Sequence, residues 1–143
     1  MSDMKDPFQL QRFVDAQSGV IDRVYAELRA RQKRSHWMWF IFPQIGGLGR
    51  SRMAQEFAIS SLAEAAAYLA HPVLGPRLKT STELVNAIEG RSIEEILGYP
   101  DHLKFHSSMT LFARADPDEL VFQAALQKFF GGNFDQSTLD RLR

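Results

Sequence analysis

Closely spaced helix start and stop signals run along the whole sequence and constrain its fold more than any other feature. Asp6 followed by Pro7 is typical of a helix start, because the carboxylate can accept hydrogen bonds from free backbone N–H groups and proline suits the first turn. Ser92 and Glu95 have the spacing of a capping box, in which each side chain binds the other's backbone N–H. Further starts are predicted at Ser61, Asp101 and Asp116, and helix ends at Gly90, Gly98 and Gly131. These signals predict about six or seven short helices.

Apolar residues near the N-terminus recur every three or four positions, which is the period of an amphipathic helix. The stripe predicts one helix from Asp6 to about Arg31, and Gln17 interrupts it as a polar residue expected to hydrogen-bond a neighbouring helix. The aromatic run from Trp37 to Phe42 is ambiguous, because a buried strand and a buried helical turn look alike at this length. No other segment has the alternation of a strand. The sequence therefore predicts an all-α fold, as one compact domain over residues 1–143.

The composition excludes several classes of protein. Apolar residues make up 45% and charged residues 24%, which is enough apolar surface for a folded chain. The 17 basic and 17 acidic residues give a net charge of zero, which argues against bulk attraction to nucleic acid or a membrane. The absence of cysteine excludes disulfides and thiolate catalysis. Residues 1–6 lack the apolar core of a secretory signal, and no apolar run approaches the ~18 residues that cross a bilayer, so we expect a cytoplasmic protein.

The segment from Arg29 to Arg52 carries six basic residues and no acidic ones. Its basic ends enclose the aromatic run and a glycine-rich loop at residues 46–49. Glycine-rich backbone can present N–H groups to an oxyanion, so the segment predicts an anion-binding site. The loop is not a Walker motif, because Gln44 and Arg50 stand where that motif requires glycine and lysine, and the dinucleotide fingerprint fails at Arg52. The alternative is a turn whose arginines form a solvated face.

Two further groups of residues are candidates for chemistry. His36 is the best single candidate for a general acid or base, since histidine titrates near neutrality, and a packing role at a helix end is the alternative. His102 and His106 have the i, i+4 spacing of metal ligands, but without an evident third ligand no metal site is predicted. Ser108 would be a nucleophile only if a base reached it, and serines within helices more often bond the preceding turn.

Several blocks of the sequence resemble a known bacterial family. The most distinctive block, KRSHWMWFIFPQ, runs from Lys33 to Gln44, and others are the 47–51 loop, residues 71–78 and the SSMTLF block at residues 107–112. On these residues the chain is identified as a member of the family catalogued as domain of unknown function 1810, whose members are sometimes mislabelled calpastatin. The resemblance covers residues 6–142. It implies a stand-alone, mostly α-helical domain and carries no activity, cofactor or partner with it.

The blocks that carry this resemblance are rich in polar residues, which a signature needed only for packing would not be. We therefore expect a site for an anionic metabolite, phosphorylated or nucleotide-like, built from the central loop and the later helix. His36 is the predicted catalytic residue if the protein is an enzyme, which the sequence leaves open. The predicted ligand-binding residues are Lys33, Ser35, Trp37, Gln44, Arg50, Ser51, Lys104, Ser107, Ser108 and Thr110. The sequence neither places the loop and the helix side by side nor identifies a cofactor.

The alternative function is a non-catalytic protein-interaction module. Aromatic and arginine side chains anchor many protein interfaces, and the central segment is rich in both. In that case Trp37 and Trp39 would be exposed or would lie in a homodimer interface. Binding of single-stranded nucleic acid is a more distant alternative, because the neutral chain and its compact aromatic run favour burial of the aromatics. The oligomeric state is not predicted.

Overall fold

The structure, a computed structural model, describes residues 6–143. Met1 to Lys5, which belong to the segment considered above as a secretory signal, lie outside the described residues. The described residues form ten helices and no strand, so the all-α prediction is confirmed, with more helices than the six or seven expected. The helices are α1 (Gln11–Ser18), α2 (Ile21–Arg29), α3 (Met38–Ile41), α4 (Arg52–Glu56), α5 (Leu62–Ala70), α6 (Leu74–Asn86), α7 (Ile93–Leu97), α8 (Asp101–Ala115), α9 (Leu120–Phe130) and α10 (Gln136–Arg141). Within residues 6–143 no helix combines the length and the apolar character needed to cross a bilayer.

The first predicted helix forms as two. The predicted start at Asp6 is wrong, because α1 begins at Gln11 with Leu10 at the cap position, although the Asp6 carboxylate accepts hydrogen bonds from the backbone N–H groups of Leu10 at 2.7 Å and Gln11 at 3.0 Å. Helix α1 then ends at Gly19, and α2 begins two residues later at Ile21. Most of the predicted apolar stripe is buried on both sides of the break. The periodicity therefore located the buried face correctly, although one long helix was wrong.

Several helix ends follow the local signals, but those predicted at Gly90, Asp101 and Asp116 do not, and α6 ends at Asn86, four residues before Gly90. Ser92 and Glu95 form the predicted capping box, and the Ser61 side chain caps α5. Asp101 and Asp116 were expected to cap helix starts, and neither does. Asp101 is the first residue of α8 and its carboxylate pairs with two lysines, while Asp116 lies at the C-terminal end of α8.

The ambiguous aromatic segment forms a single helical turn, α3, with Trp37 at its N-terminal cap position. Both Trp37 and Phe42, which flank the turn, are fully buried. The chain after it is held by an isolated parallel bridge, in which the Ile59 N–H donates to the Gln44 carbonyl and the Gly46 N–H donates to the Ile59 carbonyl, each at 2.8 Å. This bridge fixes the start of the glycine-rich loop.

Helix α8 lies at the centre of the fold, where it packs against α5, α7, α9 and α10. Gln17 supports the core from α1, because its side-chain amide donates to the Phe40 carbonyl at 2.7 Å and to the Tyr68 hydroxyl at 3.0 Å. That is the role predicted for the polar residue in the first stripe. The side of α8 between its first turn and Ser107 borders a cavity.

Candidate ligand-binding cleft

Glu27 holds the loop that begins the distinctive central block. This α2 carboxylate is buried and accepts hydrogen bonds from the backbone N–H groups of Arg34 at 2.7 Å and Ser35 at 3.1 Å, and from the Trp37 indole N–H at 2.9 Å. The Ser35 hydroxyl donates to the same carboxylate. Burial alone would raise the pKa of Glu27, but these hydrogen bonds outweigh it and lower the pKa to about 2. Ser35 and Trp37 are thereby committed to holding the loop.

A cluster of three charges joins this loop to the first turn of α8. Asp101 lies between two ammonium groups, with Lys33 Nζ 2.8 Å from one carboxylate oxygen and Lys104 Nζ 3.4 Å from the other. Each ammonium also lies over an indole ring, at 5.2 Å from the centroid of Trp37 for Lys33 and 5.1 Å from that of Trp39 for Lys104. Two lysines and one aspartate leave a net charge of +1.

A cavity of about 310 Å³ opens beside this cluster, between the glycine-rich loop, one face of α8 and the start of α10. We call it the cleft. Its lining comprises Gln44, Leu48, Gly49, Pro100, Leu103, Lys104, His106, Ser107, Asp135 and Ser137. On α8 the spacing of residues 100, 103, 104 and 107 is that of one helix face. The structure therefore brings the central loop and the Lys104 helix together, which the sequence did not decide.

Asp135 closes the end of the cleft nearest α10. One of its carboxylate oxygens accepts hydrogen bonds from the Ser107 hydroxyl at 2.9 Å and from the N–H and hydroxyl of Thr138 at 3.2 and 2.6 Å. The Asp135 N–H donates to the Thr110 hydroxyl at 2.9 Å, and that hydroxyl donates to the His106 carbonyl. Ser107 and Thr110 thus fasten α10 to α8, and Thr110 itself is fully buried behind the cleft.

The two histidines of α8 have separate partners. The His106 ring is stacked on Phe130 at 4.0 Å between centroids, and its Nε2 lies 2.8 Å from the Asn133 carbonyl, which requires the proton on that nitrogen. His102 instead places its Nε2 3.8 Å from a Glu94 carboxylate oxygen. Among the described residues no three His, Asp or Glu side chains converge as a metal site would require.

Three polar groups of the cleft have hydrogen-bonding capacity to spare. The Lys104 ammonium has three N–H donors and makes one ion pair, with Asp101. Gln44 uses its backbone carbonyl in the bridge to Ile59, while its side-chain amide bonds no other described residue. The Ser137 hydroxyl likewise has no partner within residues 6–143. These groups can meet a ligand without breaking the protein's own hydrogen bonds.

Some predicted site residues lie outside the cleft. Trp37 is only 1% exposed, so its ring cannot stack on a ligand. Ser108 is fully buried, and its hydroxyl has no hydrogen-bond partner and therefore no base. The Ser51 hydroxyl accepts a hydrogen bond from the Ala54 N–H at 3.1 Å and caps α4. His36 and Arg50 are exposed, but neither lines the cleft.

Several lining residues were missed by sequence reasoning. Asp135 carries a capping signal for α10, since its side chain accepts a hydrogen bond from the Thr138 N–H, and that signal would have placed it at a helix start. Pro100 and Leu103 could have been found from helical spacing, because they precede the predicted residues Lys104 and Ser107 by four positions each. Ser137 carries no sequence signal of its own, since only the packing of α10 brings it to the cleft.

The described residues thus define an all-helical protein with a cleft along its central helix. The chain belongs to the family described as "Protein of unknown function (DUF1810)", which it matches over residues 7–142. Among solved structures it is similar to the crystal structure of the conserved hypothetical protein Rv1873 from Mycobacterium tuberculosis, at 58% sequence identity and a TM-score of 0.95, covering 96% of this chain and 98% of that one. No curated protein matches the sequence. The family resemblance is confirmed, and any function must be argued from the cleft.

Proposed function

We propose that this protein binds an anionic small molecule in the cleft. The observation that carries the proposal is the Lys104 ammonium, which lines the cavity with donors to spare beside the side-chain amide of Gln44 and the hydroxyl of Ser137. Charge-assisted hydrogen bonds from an ammonium are about twice as strong as neutral ones, so Lys104 would supply most of the affinity for an acidic group.

The charges around the cleft indicate where the acidic group would bind. Lys33, Asp101 and Lys104 sum to +1 at one end, and the Arg141 guanidinium lies 3.2 Å from the Gly47 carbonyl at the outer side of the loop. Asp135 would repel an anion at the opposite end. The anion therefore belongs beside Lys104, and a hydroxyl or N–H of the ligand would suit Asp135.

The lining groups favour binding over nucleophilic catalysis. The Ser107 hydroxyl donates to the Asp135 carboxylate, and the His106 Nε2–H is turned to the Asn133 carbonyl. Activation of a serine requires a base that accepts its proton, and among the described residues no imidazole accepts one from Ser107. His36, the predicted general acid or base, lies outside the cleft.

The interaction-module alternative receives less support. It relied on Trp37 and Trp39 as exposed anchors for a partner. Trp37 is buried with its N–H bound to Glu27, and Trp39 is half-buried beneath the Lys104 ammonium. Interface anchors need an accessible ring, which Trp37 lacks in this fold.

The test is a thermal-shift screen against inorganic phosphate, sugar phosphates, nucleotides and NAD-related compounds. A compound at 100 times its Kd adds about 2.7 kcal/mol to the free energy of unfolding and raises the Tm by several degrees. For any hit, Lys104→Met should raise the Kd at least tenfold, because the substitution keeps the stem and removes the charge. Lys79→Met is the matched control, since Lys79 pairs with Glu119 on another face of the protein.

The proposal has two ways to fail. One is a screen in which no anion, phosphate included, changes the Tm of the wild-type protein. The other is a hit whose Kd is the same in wild type, Lys104→Met and Lys79→Met, which would place its binding elsewhere on the molecule.

A further inference from the structure

One of the exposed large apolar side chains, that of Leu103, lines the cleft. Four large apolar residues are exposed in the described part of the chain, namely Tyr99 at 75%, Leu120 at 66%, Leu103 at 49% and Phe134 at 42%. Leu103 lines the cleft, and Tyr99 and Phe134 each directly precede a lining residue. Leu48 and Pro100 belong to the same lining, so part of the cleft wall is apolar and in contact with water.

The apolar and polar residues that line the cleft follow one another along the axis of α8. Pro100 and Leu103 lie at its N-terminal end, Lys104 follows, and Ser107 faces Asp135 at the far end. At a rise of 1.5 Å per residue, the lining from residue 100 to residue 107 extends for ~10 Å. An inorganic anion beside Lys104 would leave the apolar end of this length in contact with water.

We propose that the ligand of this cleft carries an apolar ring joined to its acidic group. The ring packs on Leu48, Pro100 and Leu103 while the acid meets Lys104. This inference rests on the proposed function and adds the chemical class of the ligand, an aryl- or nucleoside-type monoanion or dianion rather than a small hydrophilic acid. A flat ring suits these side chains because it removes apolar area from water on both partners at little entropic cost.

Calorimetric titration with three phosphates tests this inference. Inorganic phosphate carries the acid alone, glycerol 3-phosphate adds a polar group, and phenyl phosphate adds a ring. We expect phenyl phosphate to bind about tenfold more tightly than glycerol 3-phosphate, which corresponds to ~60 Å² of apolar surface withdrawn from water. Its binding should also show the more negative heat-capacity change, which is the marker of apolar burial.

Two matched leucine variants locate the effect. Leu103→Ser should abolish most of the preference for phenyl phosphate over glycerol 3-phosphate. Leu120→Ser, at an exposed leucine that begins α9 and does not line the cleft, should leave both Kd values unchanged. Both side chains are exposed, so neither change is expected to unfold the protein.

The outcomes separate this inference from the function on which it rests. If all three phosphates bind equally and binding depends on Lys104, the anion site is supported and the inference of an apolar ring on the ligand is wrong. A preference for phenyl phosphate that survives Leu103→Ser also overturns the ring site. If none of the three binds, this inference fails, and the wider screen described above decides separately on the anion site.

Discussion

At the scale of single residues, one buried carboxylate organises the most distinctive part of the chain. The Glu27 carboxylate accepts hydrogen bonds from the backbone N–H groups of Arg34 and Ser35 and from the Trp37 indole N–H. The loop held in this way includes Lys33, which pairs with Asp101. A buried N–H donor without a partner lowers the stability of the fold, so these hydrogen bonds stabilise the loop in this conformation. The position of the cationic end of the cleft therefore depends on a residue that never touches the cleft.

Glu27→Gln tests this role through the pH dependence of stability. The pKa of Glu27 is about 2 in the folded protein against 4.5 ordinarily, so its ionised form stabilises the fold above pH 4.5 and that contribution is lost as the pH falls through about 2. We expect the variant to lose about 3 kcal/mol of unfolding free energy at pH 7, and the deficit relative to wild type to shrink between pH 4.5 and pH 2. Urea denaturation at several pH values measures both.

The control for this prediction is Glu89→Gln, because Glu89 is exposed and pairs with Lys128 at the surface. Because solvent screens this exposed pair, that variant should lose far less unfolding free energy at pH 7 than Glu27→Gln does. A deficit of equal size at pH 7 and pH 2 in Glu27→Gln would mean that packing, and not the charge, holds the loop.

At the scale of elements, helices α5 and α6 approach each other at a single glycine. A Cβ placed on Gly75 would lie 2.1 Å from the Leu69 carbonyl oxygen, which is backbone and cannot move aside. The turn at His71 and Pro72 leads directly into this contact. The packing of α5 against α6, helices that in turn contact α8 and α9, therefore requires a residue without a side chain at position 75.

Gly75→Ala should destabilise the protein by about 3 kcal/mol, at the upper end of overpacking effects, because backbone must shift to admit the methyl group. Gly19→Ala is the matched control, since nothing lies within 4 Å of a Cβ there and its φ of −90° suits alanine. The control should gain about 0.5 kcal/mol from a less flexible unfolded chain. Equal urea midpoints for the two variants would contradict the close approach.

At the scale of the whole molecule, a continuous line of aromatic rings connects the helices. Phe13 of α1 contacts Tyr68 of α5 at 5.1 Å between centroids, Tyr68 contacts Phe112 of α8 at 5.4 Å, and Phe112 contacts Phe122 of α9 at 5.8 Å. Because these contacts join helices from different parts of the chain, unfolding of one part would expose the core of the others. Both tryptophans lie in or against it, which makes their fluorescence a probe of the same core.

We therefore expect a single cooperative unfolding transition. Urea denaturation followed by tryptophan fluorescence and by far-UV circular dichroism should give coincident curves, which is the test of two-state behaviour. A fluorescence change at lower urea than the dichroism change would show that the central segment opens separately. The chain would then contain two folding units rather than one.

Local sequence signals accounted for the fold class and for many helix ends. The Ser92–Glu95 box, the cap at Ser61 and the glycine ends of α7 and α9 were all predicted and formed, because each involves hydrogen bonds within a few residues of chain. Periodicity also identified the buried face of the first helices and the role of Gln17. These features depend on residues that are close together in the sequence, so they can be predicted without knowledge of the tertiary structure.

The cleft depended on partners distant in sequence. Asp101 left its predicted capping role because Lys33, 68 positions away, approaches its carboxylate to 2.8 Å. Trp37 can be buried because its indole N–H donates a hydrogen bond to Glu27. The residue type alone did not show whether its ring would be buried or would stack on a ligand. The meeting of Gln44, Lys104 and Asp135 in one cavity arises because two chain segments, the central loop and the start of α10, pack beside α8. Such contacts follow from the summed free energy of the whole core, which no local pattern encodes.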